Sequence, residues 1–333
     1  MTLRRRLIAV VGAYGFVTLV VVLWAPTVGS TPISLSRVFD RSVPWTDNVD
    51  AQIFYVARLP RVLAGALIGS TLAAAGVVLQ ALLRNPLATP FTLGVSAGAA
   101  LGAMLAIAWR LDVGALGVSS VPIASFLGSL VAMAIVYGLA SSQRRGLSTN
   151  ILLLAGVTLN SFFSALILFV QYLADFTESF RTVRWLMGDL DVGSYGPIVA
   201  ATPFIVAAFV VFSLLPRALN LLTMGEDVAA SRGVDVSRAQ RWAFLSASLA
   251  TGAAVSLGGP VGFIGIVVPH LVRLMVGSDH RVVLPAATLF GAAFLVLCDL
   301  MARTLMAPVE IPVGIITALI GGPFFLWLLV RQS

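Results

Sequence analysis

Ten stretches of this chain stay apolar for about twenty residues each, the length of helix that crosses a bilayer. They lie near 7–24, 62–83, 91–109, 121–140, 151–173, 196–215, 242–259, 262–277, 282–302 and 312–330. The runs are continuous and do not alternate with polar residues, so they read as helices and exclude a strand barrel. Among these, 242–259 and 262–277 are separated only by Gly258-Gly259-Pro260. The fold expected is all-α integral membrane, with about ten transmembrane helices in one domain over residues 1–333.

Composition agrees. Charged residues make up 11% of the chain and hydrophobic ones 59%, whereas a soluble domain carries about a quarter charged residues. Every one of the 21 Lys+Arg positions is arginine. Without a lysine the chain has no ordinary Walker A motif, whose lysine reaches the β- and γ-phosphates. If ATP drives this protein, another subunit binds it. The single cysteine, Cys298, excludes an intrachain disulfide. His270 and His280 have no carboxylates at ligand spacing, so no metal site is expected. Basic Arg4, Arg5 and Arg6 precede the first run as in a signal peptide, but the run to Ala25 is long and the cleavage site weak, so a retained first span is expected.

The net charge of +7 reads as topology and gives no reason to invoke nucleic acid. With the N-terminus in the cytoplasm, the larger share of arginines falls inside, among them Arg4, Arg84, Arg144, Arg145, Arg217 and Arg232. Both termini are then cytoplasmic. Merging the Gly-Gly-Pro pair into one span would reverse every later loop and weaken this bias. Two outer segments, 25–57 and 174–194, are long enough to lie along the membrane surface. Leu67–Gly94 and Leu245–His270 share a rhythm of helix, Gly/Pro break and short helix, a hint of an inverted repeat.

Several groups stand out within that frame. Arg84-Asn85-Pro86-Leu87-Ala88-Thr89-Pro90 forbids a regular helix and is either a plain turn or a gate element. Arg58, Arg61 and Arg303 oppose the inside bias. They suit carboxylates of a docking partner, lipid phosphates or, for Arg303, an i,i+4 pair with Asp299. The inner segment 216–241 holds Met224-Gly225-Glu226-Asp227, then Ser231-Arg232-Gly233, with acids early and a helix-ending glycine late. It is a solvated connector or a knob for a partner's groove. Asp299 is the clearest intramembrane acid, and Arg303 one turn on can neutralise it. Gln80, Asn160 and Gln171 are uncharged polar groups within spans, either bonding between helices or lining a path.

These motifs resemble a known family. Arg58-Leu59-Pro60-Arg61, Gln80-Ala81-Leu82, Asn85-Pro86-Leu87-Ala88, Leu93-Gly94-Val95-Ser96-Ala97-Gly98, Gly262-Phe263-Ile264-Gly265, Val268-Pro269-His270-Leu271-Val272-Arg273, Asp279-His280-Arg281 and Glu310-Ile311-Pro312-Val313-Gly314 are similar to the FecCD-type permeases. These are the transmembrane subunits of type II ABC importers for ferric siderophores, haem and cobalamin. The resemblance covers nearly the whole chain. It implies a second permease copy (homodimer or close paralogue), two ATPase subunits holding ATP and Mg, and an extracytoplasmic substrate-binding protein, all at the cytoplasmic (inner) membrane. It implies that Arg58, Arg61 and Arg303 dock the binding protein. Met224, Gly225, Glu226, Asp227, Ser231, Arg232 and Gly233 would couple to the ATPase. Asn85, Leu87, Ser148 and Thr149 would form the cytoplasmic gates. Gln80 and Asn160 are expected along the substrate path, and no cofactor is expected on this chain.

An ion-coupled secondary transporter would want an unpaired buried acid or a His/Asp relay, which the sequence does not offer. An intramembrane enzyme would want a catalytic set around His270 or His280, and neither has one. The cargo expected is a large metal chelate, a ferric siderophore ahead of cobalamin or haem.

Overall fold

A computed structural model describes residues 2–111, 119–141 and 148–332; Arg144 and Arg145 lie outside them. The helices are, in order, α1 (Leu3–Trp24), α2 (Leu35–Val38), α3 (Val49–Gln52), α4 (Leu59–Leu82), α5 (Val95–Ala108), α6 (Ser120–Ser141), α7 (Thr149–Leu173), α8 (Phe176–Leu186), α9 (Gly196–Leu214), α10 (Pro216–Leu222), α11 (Glu226–Ser231), α12 (Val236–Gly258), α13 (Ile264–Val276), α14 (His280–Thr304) and α15 (Val313–Gln332). There is no strand among the described residues. Each of the ten expected spans falls on a helix. Among the described residues, six helices are long and apolar enough to cross a membrane, and α5, α13 and α15 supply shorter apolar ones.

The long helices alternate in direction. Arg6 of α1, the end of α4, α10, α11 and the start of α14 meet at one end, through Arg6 to the Val276 carbonyl, Arg84 to Glu226 and Asn220 to Asp279. We call this the terminal end, because α1 begins there and α15 runs toward it. The far end gathers residues 25–31, Arg58, Arg61, Glu310 and α8. α4, α12 and α14 form the buried centre, whereas α1 lies on the outside of the bundle with Val21 its one buried residue.

α12 is the least apolar of the spanning helices, and its position explains why that is tolerated. Three of its buried hydroxyls turn back on their own helix, Ser246 donating to the Trp242 carbonyl at 2.5 Å, Thr251 to Ala247 at 2.7 Å and Ser256 to Ala253 at 2.8 Å. Buried hydroxyls satisfied in this way need no water. The helix ends where the sequence suggested. Gly259 has φ +68° and sits against the Trp185 carbonyl, so a Cβ there would be both strained and blocked.

The third expected span, 91–109, divides further than the sequence suggests. Pro90–Leu93 form one 3-10 turn, Gly94 takes φ +75°, and only Val95–Ala108 are α-helical. At 1.5 Å per residue, α5 spans about 21 Å, short of a ~30 Å hydrocarbon core. The irregular stretch before it is covered by protein, which is the condition for such backbone at membrane depth. Gly94 lies on α7, and a Cβ on Gly156 would strike the Thr92 carbonyl. The second half repeats the plan: α12, a Gly-Pro break, then the short α13, which packs on α4 with Gly76 against Gly265.

Candidate functional site

Three regions carry polar groups that packing alone does not require. At the far end, the chain enters α4 through one wide π-type turn, Ile53–Arg58. That turn aims the Arg58 guanidinium at the Pro26 and Thr31 carbonyls, and the side chain is buried. One helical turn on, Arg61 donates from Nε to Asp299 Oδ1 at 2.9 Å and from Nη1 to Glu310 Oε2 at 2.5 Å. Arg303 donates to the Ala25 carbonyl at 2.7 Å and stands 3.7 Å from Asp299 Oδ2. Arg61 and Arg303 meet on Asp299, while Arg58 is held by the backbone carbonyls beside them.

This placement changes two expectations. Asp299 is paired as foreseen, but its closer partner is Arg61, not Arg303. Arg58 and Arg303 are closed in by residues 25–31, so neither guanidinium is at the surface. Arg61 keeps 12% side-chain exposure and reaches the surface through Glu310, which is 38% exposed.

The terminal end is built differently. Asn85 and Leu87 sit on the turn after α4. The Asn85 side chain accepts from the Leu87 N–H at 2.9 Å, and Leu87 is exposed. From the same turn Arg84 pairs with Glu226 at 3.1 Å, and Gln240 of α12 donates to the same carboxylate oxygen at 3.1 Å. Glu226 therefore ties the turn to α11 and α12. Around it Met224, Asp227, Ser231 and Arg232 are exposed. Gly225 (φ +122°) and Gly233 (φ +82°) bracket α11, and the Gly233 and Val234 amides close its last turn on Ala230 and Ala229. The expected helix-ending role of Gly233 is thus seen. Ser148 caps α7 by accepting from the Ile151 N–H, with Thr149 opening the helix. No hydrogen bond joins this pair to Asn85 or Leu87 among the described residues.

Sequence reasoning missed one part of this end. Asn220 donates to Asp279 at 2.8 Å and accepts from the His280 ring Nδ1 at 2.7 Å. The Arg281 hydrogen bonds, with that from Asn220, hold the Asp279 carboxyl well below the usual carboxylate range. A lone asparagine in a segment expected to be solvated was the available signal.

The third region is one face of α7. Leu152, Ala155, Gly156, Phe163 and Ile167 pack inward. Thr158, Asn160, Ser161 and Ser164 are exposed in the middle of the helix. An amide there would be costly against lipid tails, so this face suits a wetted path or a second polypeptide. Gln80 is not on it. It is buried between α4 and α13, donating to the Gly265 carbonyl at 2.9 Å.

The family model for FecCD transport matches residues 17–331. The chain belongs to the FecCD transport family. Among FecCD relatives, it is 38% identical to the hemin transport system permease HmuU of Yersinia pestis, covering 96% of this chain and 95% of that protein. It is 44% identical to the cobalamin import system permease BtuC of Halobacterium salinarum, covering 86% of this chain and 75% of that one. A solved structure described as an inward-facing metal-chelate type ABC transporter superposes with a TM-score of 0.82 at 31% identity, covering 97% of this chain and 99% of the other. FecCD relatives are permease subunits, membrane transport components and not enzymes.

Proposed function

We propose that this chain is the transmembrane subunit of an ATP-driven importer that moves a large metal chelate, with a ferric siderophore as the preferred cargo. The observation that carries the reading is the α7 face: polar groups exposed at mid-membrane on a family member whose relatives are permeases. Two copies placed with these faces together would enclose a path that a single copy leaves open. α11 would seat in an ATPase subunit holding ATP and Mg, and the turn at Asn85 and Leu87, with Ser148 and Thr149, would gate the cytoplasmic mouth. A stroke at α11 reaches that turn through the Arg84–Glu226 pair, so closure of the ATPase pair would bias the gate. Cobalamin and haem form a second reading, favoured by the names of the relatives above.

Docking of a substrate-binding protein at the far end is part of the proposal, with Arg61 as the contact. Arg58 and Arg303 support Arg61 from behind. A partner carboxylate would take the place of Glu310 on Arg61. Replacing all three arginines by acids would test folding more than docking. Glu310→Gln should instead tighten binding-protein docking, and Arg61→Gln should weaken it.

The deciding experiment reconstitutes the chain with its ATPase and binding protein in liposomes and follows labelled ferric siderophore, haem and cobalamin. Uptake of one chelate should require ATP, and Asn160→Cys should cross-link two copies. Uptake without the ATPase, or no cross-link at Asn160 in a working transporter, would overturn the reading.

A further inference from the structure

The terminal end holds one charge for which the transport reading has no use. A cavity of about 660 Å³ opens between the end of α4, the turn after it, α10 and the α13–α14 connection. The acids around it are already matched, Glu226 with Arg84 at 3.1 Å and Asp279 with Arg281 at 2.7 Å. Arg273, half-buried in the last turn of α13, also lines the cavity. It has no hydrogen-bond or ion-pair partner among the described residues. A cation at a helix C-terminus gains from the dipole, but that does not satisfy its five donors.

The same cavity presents the opposite kind of group. Gln80 Oε1 is buried and has no hydrogen-bond partner among the described residues. The His280 ring adds a second acceptor. Asn220 gives its amide hydrogens to Asp279, so its oxygen faces Nδ1, and Nδ1 must carry the proton. In the neutral ring Nε2 is then a lone pair. The cavity therefore combines one uncommitted guanidinium with acceptors that want an O–H.

We propose that this cavity binds a phosphate anion that also carries a hydroxyl, with its charged oxygens on Arg273 and its O–H directed to Gln80 Oε1 or His280 Nε2. Planar guanidinium groups pair well with phosphate oxygens. Two sources share this chemistry: monobasic inorganic phosphate, and the phosphatidylglycerol headgroup, whose glycerol supplies the hydroxyl. The site is independent of which chelate the protein carries.

The test uses the full chain in phosphatidylcholine nanodiscs and follows the thermal unfolding midpoint. In one arm phosphate is titrated at constant ionic strength. In the other, phosphatidylglycerol replaces part of the lipid. A saturable rise of the midpoint is expected in one arm or both; phosphate acting alone identifies the free anion, and phosphatidylglycerol acting alone identifies the headgroup. Sulfate, which has no O–H at neutral pH, should protect less. Arg273→Gln should weaken the half-saturating concentration about tenfold or more, the factor one charge-assisted hydrogen bond supplies. Arg273→Lys keeps the charge without the fork and should fall between. Gln80→Leu should narrow the gap between phosphate and sulfate, and Arg5→Gln, on the exposed start of α1, should change nothing. The proposal fails if neither ligand protects the wild type, if chloride does as well as phosphate, or if Arg273→Gln binds as tightly as wild type.

Discussion

At the far end, Asp299 is 1% exposed and is held by Arg61 and Arg303, which are themselves buried or nearly so. At the terminal end, Glu226 and Arg84 keep 43% and 44% of their side chains in contact with solvent and share a single 3.1 Å contact. The two ends use the same chemistry, an arginine on a carboxylate, with different consequences. A buried pair is hard to open, because removing either partner strands a desolvated charge. An exposed pair contributes little to stability and can break and remake at low cost. The far end is thus built to hold its shape while the terminal end is built to move.

That contrast can be broken by mutation. Asp299→Asn should have the largest effect, on the order of 3–5 kcal/mol of lost stability, because it leaves the buried Arg303 without a counter-charge and Arg61 with Glu310 alone. A fall in thermal midpoint and in yield of folded protein would show it; an unchanged midpoint would mean the far end is wetter than its packing indicates. Glu226→Gln removes the corresponding carboxylate at the other end and should cost less than about 1 kcal/mol. In the same protein it should sharply reduce ATP-driven uptake, since the link from α11 to the turn is lost. Equal stability losses in the two variants would end the distinction between the ends.

The smallest effect is set by pH. Asp279 has its pKa depressed in the folded protein, so its contribution is fully present above the unfolded value near 3.8 and is lost as pH falls toward the lower folded value. Hydrogen exchange at the start of α14, corrected for intrinsic rates, should therefore stay flat from neutral pH to about 4. Earlier loosening would show that Arg281 and Asn220 do not hold this carboxylate.

The spans were legible because each is a local property: a long apolar run closed by Gly or Pro. The Asp299–Arg303 pair was legible for the same reason, being four residues apart on one helix. Arg61–Asp299 and Arg84–Glu226 were not, since their partners are 238 and 142 residues apart and meet only through helix packing. The burial of Arg58 was hidden too. Nothing in residues 25–31 announces that their carbonyls fold over a guanidinium. The Gln80 bond to Gly265 was only one of two readings open, because a polar residue in a span reads as a path lining or as a bond between helices. The family motifs brought these residues to notice, but which way each side chain turned was a tertiary fact.

The meeting of Gly94 with Gly156 has a mechanical side. Where two helices touch through long side chains, a small push is absorbed as rotamers shift. Here the strand of backbone from Thr92 to Gly94 lies directly on the backbone of α7, and there is almost nothing between them to compress. A displacement of the turn after α4 would then reach α7 as a stiff rod delivers a thrust, with little slack at the joint. Placing even an alanine at Gly156 would insert a spacer into that joint and change the length of the stroke.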